Sequence, residues 1–197
     1  MPKGIFCLEG LWHDDLKQKS SVRPILSMLE INGGIPFIHH DVATVQELEF
    51  YLSKWKQARY RSYPILYFAF HGERQSLLID GQKYRLERLG NLLNGACNGS
   101  VFIFASCKTL NRQEAVEDFL IQTGALAVFG YRNRVSWMHS AALEMLILSE
   151  LQNVSFTSRG MNSLQKRTAI VASAFRNIDY SLIICKSRKN PTHSERS

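Results

Sequence analysis

Two runs in this 197-residue chain are apolar at every position: Ile65-Leu66-Tyr67-Phe68-Ala69-Phe70 and Val101-Phe102-Ile103-Phe104. A strand with one wet face alternates apolar and polar residues, and these two do not. Each run is short, rich in β-branched or aromatic residues and flanked by turn formers, which predicts a strand buried on both faces. Helices must then cover both faces, which requires a mainly parallel α/β sheet.

The rest of the chain fits that frame. Gly4–Gly10 reads as a first strand, followed by a polar loop from Leu11 to Lys19. Ser20 or Ser21 is placed to cap a helix that has Pro24 in its first turn and ends at Asn32-Gly33-Gly34. A second strand is predicted over Ile35–His40, then a helix capped by Thr44 with Leu48, Tyr51, Leu52 and Trp55 on one face. After the third strand, Leu77–Ile79, Asp80-Gly81 and Lys83–Arg85 spell a hairpin with a type I′ turn. Helices follow over Leu86–Leu93, around Ala115–Leu120 and over Trp137–Leu151 and Leu164–Phe175, with strands over Leu126–Phe129 and Ser181–Cys185. The expected architecture is α/β: a three-layer α/β/α sandwich around a mainly parallel sheet of about six strands, with a small β-hairpin. Residues 1–185 form one domain in this reading, and 186–197 a basic, frayed tail.

The chemistry sits where the two apolar runs end. His71 follows the first and Cys107 lies just past the second. Neighbouring parallel strands would deliver both side chains to the carboxyl edge of the sheet, where open α/β sheets hold their sites. The thiolate is the attacking form of a cysteine, and an adjacent imidazole can take its proton. Gly72, without a Cβ, lets its backbone N–H come close to a substrate carbonyl. With the Cys107 N–H it can form an oxyanion hole.

The order strand–His-Gly, hairpin, helix, strand–Ser-Cys resembles the caspase-like cysteine peptidases, the group of caspases, metacaspases, legumain, gingipains, separase and the CHAT-type peptidases. Phe102–Thr109 (FIFASCKT) is nearest to the CHAT-type strand that ends in a small residue-Cys-x-Thr step, and Gly124–Gly130 with Trp137 is similar to the same group. The resemblance covers roughly 60–140. It implies a caspase-like fold and a peptidase with His71 as base, Cys107 as nucleophile and the Gly72 and Cys107 amides as oxyanion donors. It also implies a protein substrate, no metal or other cofactor in the chemistry, an activating partner or homodimer in some relatives, and a role in prokaryotic defence or programmed death. The caspase string Q-A-C-[RQG]-G is not matched, and His71 stands 36 residues before Cys107 rather than about 50. Metacaspase-type members often carry an acid just before the cysteine, where this chain has Ala105 and Ser106.

Candidate substrate contacts are therefore read from neighbouring loops. Arg132 and Arg134, after the fifth strand, could line a pocket for an acidic side chain. Asp14, Asp15 and Glu73 could receive a basic one. Trp12 and His13 share the loop of Asp14 and would rim the cleft. His71-Gly72-Glu73 matches the first half of a zinc deaminase signature, but no Pro-Cys-x-x-Cys completes it. His39, His40 and Asp41 end the second strand, where adjacent residues point to opposite faces and make joint ligation awkward.

Charge separates the two ends of the chain. Residues 159–197 hold eight of the 24 Lys/Arg and only two of the 17 Asp/Glu. No aromatic residues interleave with the tail charges, so a nucleic-acid partner is not expected. No apolar stretch reaches the roughly 20 residues that span a bilayer, so no membrane segment is expected. Four scattered cysteines, three of them in or beside strands, argue for free thiols and a cytoplasmic location. The rival reading is a non-catalytic α/β module that binds a protein through the same sheet edge.

Overall fold

The computed structural model describes residues 1–175 and 178–185. The chain runs β1 (Ile5–Gly10), α1 (Arg23–Gly33), β2 (Phe37–Val42), α2 (Val45–Trp55), β3 (Ile65–Ala69), β4 (His71–Gly72), β5 (Ser76–Ile79), β6 (Gln82–Arg85) and α3 (Leu86–Leu92). It continues through β7 (Val101–Ala105), α4 (Gln113–Thr123), β8 (Ala127–Tyr131), α5 (Trp137–Gln152), α6 (Ser158–Ser173) and β9 (Tyr180–Ile184). Six strands form one sheet in the order β2-β1-β3-β7-β8-β9, with only β9 antiparallel. β4, β5 and β6 make a separate antiparallel ribbon. The fold is the α/β sandwich expected from the sequence, and the expectation for residues 186–197 lies outside the described residues.

The pleat divides the core into two. Phe6, Leu8, Leu66, Phe68, Phe102 and Phe104 point to one side, where they meet α2, α3 and α4. Phe68 stacks on Phe102 and Phe104 with centroids 5.7 and 5.4 Å apart, and Phe119 of α4 closes edge-on against Phe102 at 4.9 Å. Ile5, Cys7, Ile65, Tyr67, Val101 and Ile103 point to the other side, against α1, α5 and α6. Removing one of these buried rings would cost about 3–5 kcal/mol in transfer and cavity energy.

Several boundaries moved for identifiable reasons. β2 begins at Phe37 because Ile35 is used to close α1. Its N–H bonds Leu29 O, and Gly34 turns left-handed (φ 62°) with its own N–H on Glu30 O. α6 begins six residues before the expected Leu164, because Thr157 accepts a hydrogen bond from Gly160 N and caps it. The helix over Trp137–Gln152 is a core element: Leu143, Glu144, Ile147, Leu148 and Leu151 are buried. No helix among the described residues is long and apolar enough to cross a membrane. The four cysteines are free thiols, with Cys7 and Cys97 buried.

Candidate active site

Register positions the two principal side chains. β3 and β7 pair in parallel with Ala69 beside Ala105. Two residues further along each chain come His71 and Cys107, level with one another and on the α1/α5/α6 side of the pleat. Beyond Ala69 the chain leaves the large sheet and enters the ribbon, where His71 pairs with Leu78 and Gly72 with Leu77. Arg74 and Gln75, both at positive φ (34° and 58°), make the tight turn. The turn places Glu73 N–H on Ser76 O. Hydrogen-bonded pairs alternate along an antiparallel ribbon, so Gly72, one step back, directs its N–H away from β5.

Past β7 the backbone turns sharply, with Lys108 at φ 57°. Lys108 N–H bonds Asn133 O, and its carbonyl accepts from Gln75 N–H. Thr109, fully buried, shares a hydrogen bond with Ser106 (2.7 Å) and donates to Cys107 O (3.4 Å). The small residue-Cys-x-Thr step is thus a hydrogen-bonded turn that holds the cysteine. Gly72 packs directly on it: a Cβ at position 72 would lie 2.4 Å from Cys107 O and 2.6 Å from Thr109 Oγ1. The glycine is required first for this backbone contact.

His71 is held by Trp12. Its Nε2 lies 2.9 Å from Trp12 O. A carbonyl only accepts, so Nε2 carries the proton and the neutral ring offers Nδ1 as its base. The Trp12 ring meets the imidazole edge-on at 5.2 Å and Trp137 at 4.4 Å. The imidazole and the Cys107 thiol share one cavity without a hydrogen bond between them, as is common in resting sites.

Trp12 is fixed in turn by Glu9, a residue that sequence reading passed over. Its buried carboxylate accepts from Trp12 Nε1 (2.6 Å), Val22 N (2.8 Å), Ser21 Oγ (2.6 Å) and His39 Nε2 (2.7 Å). Burial pushes this carboxyl up, but the four hydrogen bonds outweigh it and hold it below the ordinary range. At the start of α1 the N-cap residue is Val22, whose N–H goes to this carboxylate, while the expected Ser21 accepts from Arg23 N (3.0 Å) and donates to Glu9. An acid placed there also suits the positive end of the helix dipole. Glu9, His39 and Asp41 bring their ligand-type atoms within 4.8 Å of one another. His39 and Glu9 are turned onto each other, while His40 stacks on Tyr51 across the strand (4.1 Å), as the pleat requires.

Beside Cys107 lies a cavity of about 140 Å³, walled by Trp12, Phe70, Val135 and Trp137. Glu144 closes its buried end. The Glu144 oxygens accept from Tyr67 OH at 2.5 Å and Tyr131 OH at 2.9 Å. Burial pushes this carboxyl up to about 7, against the two phenol hydrogen bonds. The sequence hid Glu144 within an apolar helix, and its only signal was a lone acid in the run Ala141–Leu148.

The other candidates stand elsewhere. Glu73 is solvent-exposed and pairs with Lys83 across the ribbon (3.1 Å), not with His71. Asp14 and Asp15 are exposed, and Asp15 accepts from Lys17 N within its own loop. Arg132 lines a separate cleft against β9, its N–H on Asp179 O, and Arg134 is exposed. None of the five lines the cavity beside Cys107, because each lies on a segment directed outward from the strand ends.

The fold is that of the caspases. Caspase-1 from Spodoptera frugiperda superposes with a TM-score of 0.60 at 14% identity, over 95% of this chain and 90% of that one. The chain itself belongs to a family of unknown function, DUF6642, whose model matches residues 2–175. No curated protein matches it.

Two outcomes follow. In Gly72→Ala the new methyl must push β4 off the 106–109 turn. Urea unfolding should show a loss of about 1–3 kcal/mol, the usual cost of overpacking, and unchanged stability would refute the contact. For Glu144, whose folded pKa lies above its unfolded value of 4.5, the sign is the reverse of the usual acid. The folded state keeps the proton longer, so its contribution is full below about pH 4.5 and declines as pH rises to about 7. Tyr67, Tyr131 and Cys7, which face it, are all raised further and stay neutral over that window. Wild type should lose about 3 kcal/mol relative to Glu144→Gln between those limits; parallel curves would contradict the assignment.

Proposed function

We propose that the protein is a cysteine endopeptidase that cleaves a protein substrate through an acyl-enzyme on Cys107. The observation that carries this reading is the Trp12 carbonyl on His71 Nε2, which leaves Nδ1 as a base in the cavity that holds the thiol. The caspase-like fold supports a peptide substrate, and no cofactor enters the chemistry.

Nδ1 of His71 takes the Cys107 proton, and Sγ adds to the scissile carbonyl carbon. The carbonyl electron pair moves to oxygen, where the Gly72 and Cys107 N–H groups receive the charge. Each such donor is worth about 3–4 kcal/mol in comparable sites. Gly72 suits this role because its N–H points away from β5. Collapse of the adduct breaks the C–N bond, and the amine leaves with the proton held at Nδ1. Water then adds to the thioester and gives a proton to Nδ1. C–S cleavage releases the acid, and that proton restores the thiol. Trp12, fixed by Glu9, orients the imidazole throughout.

The test is incubation with a proteome-derived peptide library, with and without calcium, read by mass spectrometry for new termini. Wild type should generate a defined set of cleavages, and Cys107→Ala and His71→Ala should reduce them at least 100-fold. Equal cleavage by Cys107→Ala, or none by any folded form, would overturn the proposal. The second outcome would favour a binding module on the same edge.

A further inference from the structure

Glu144 is a buried carboxylate without a counter-cation. Other acids of the chain, such as Glu49, Glu73 and Glu150, pair with a lysine or arginine. Glu144 has only two phenol hydroxyls, although it is among the most deeply buried acids of the chain. A buried charge without a partner is unfavourable, so such a carboxyl either keeps its proton or takes a cation beside it. Here the residue lines a cavity.

The cavity has the size to take a cation on a thin apolar stem. A void of about 150 Å³ takes up a benzene ring, and this one measures about 140 Å³. Its walls are mainly apolar, and Trp12 and Trp137 contribute aromatic surface to them. Indole faces attract cations as well as methylenes. Cys107 and His71 line the same cavity, so a side chain entering it belongs to the residue whose carbonyl meets the thiol. An acidic side chain would bring a second carboxyl into the same enclosed space, which like-charge repulsion disfavours.

We infer that this cavity is a specificity pocket that receives a lysine or arginine side chain, with Glu144 as the carboxylate that pairs with its cation and Trp12 and Trp137 as its walls. The assignment names the substrate class of the proposed peptidase and rests on that reading for its role in cleavage. It does not rest on it for binding. The selecting charge comes from the middle of α5, not from the loops of Asp14, Asp15, Arg132 or Arg134.

Two measurements separate the pocket from the peptidase. The first is titration of wild-type protein with agmatine, read by tryptophan fluorescence because Trp12 and Trp137 line the cavity. It requires no catalysis. Saturable quenching, weakened at least tenfold in Glu144→Gln and absent with glutarate, is the expected result. The same affinity in Glu144→Gln, or tighter binding of glutarate, would overturn the pocket even if the protein is an active peptidase. Thermal unfolding checks that Glu144→Gln is folded; should it not be, Ala141→Met, which fills the cavity from its lining, must abolish quenching instead. The second is labelling of Cys107 by peptidyl acyloxymethyl ketones that end in Lys, Arg, Leu or Asp. Lys and Arg reagents should react at least tenfold faster than the others. Preference for Leu or Asp would overturn the assignment. If agmatine binds as expected while Cys107 resists every reagent, the pocket stands and the peptidase reading fails.

Discussion

The parallel register of β3 against β7 sets Ala69 beside Ala105, and everything at the carboxyl edge inherits that alignment. A slip of one residue between these strands would split Phe68 from Phe102 and Phe104, sending one side of the stack into the opposite layer, which is already filled by Tyr67, Val101 and Ile103. The aromatic packing therefore fixes the register, and the register fixes the level at which His71 and Cys107 emerge. Gly72 then allows the ribbon to lie directly on the Cys107 turn. The separation of the two side chains is set by core packing and a backbone contact, not by a bond between them.

A second constraint converges from the other side of the sheet. Glu9 gathers hydrogen bonds from β2, from the start of α1 and from the loop that follows β1. Through Trp12 it governs which nitrogen of His71 carries a proton. The arrangement uses one buried carboxylate for three structural purposes, and a neutral substitute would leave donors from three elements unsatisfied. Glu144 is the contrasting case. Its two phenol partners satisfy hydrogen bonding but not charge, and it lines a cavity. One buried acid is built into the frame, and the other is left with valence for something outside it.

The sequence revealed the frame better than the furnishing. Runs apolar on both faces, Thr44 and Asp80-Gly81 are local signals, and each formed the expected strand, capped helix or hairpin. His71 and Cys107 were legible because both are the polar groups at the ends of such runs. Glu9 and Glu144 were not, because their importance lies in which distant residues face them. Glu9 sits at the end of an ordinary-looking strand, and Glu144 lies among leucines and methionines on a helix whose apolarity reads only as core. Charged loop residues drew attention instead, and Glu73, Asp14, Asp15, Arg132 and Arg134 proved to face outward. The two-residue strand β4 was too short for any periodicity to announce, yet it is the element that carries His71.

The measurement that bears most directly on the central claim is the rate of iodoacetamide alkylation at each cysteine as a function of pH, mapped by mass spectrometry. It asks whether Cys107 is activated by an imidazole that Trp12 holds in one tautomer. The account predicts fast alkylation confined to Cys107, at least tenfold slower at pH 7 in His71→Ala, while the buried thiols of Cys7 and Cys97, raised by burial, stay inert. Alkylation of Cys107 at the rate of a free thiol, with no dependence on His71, would contradict it.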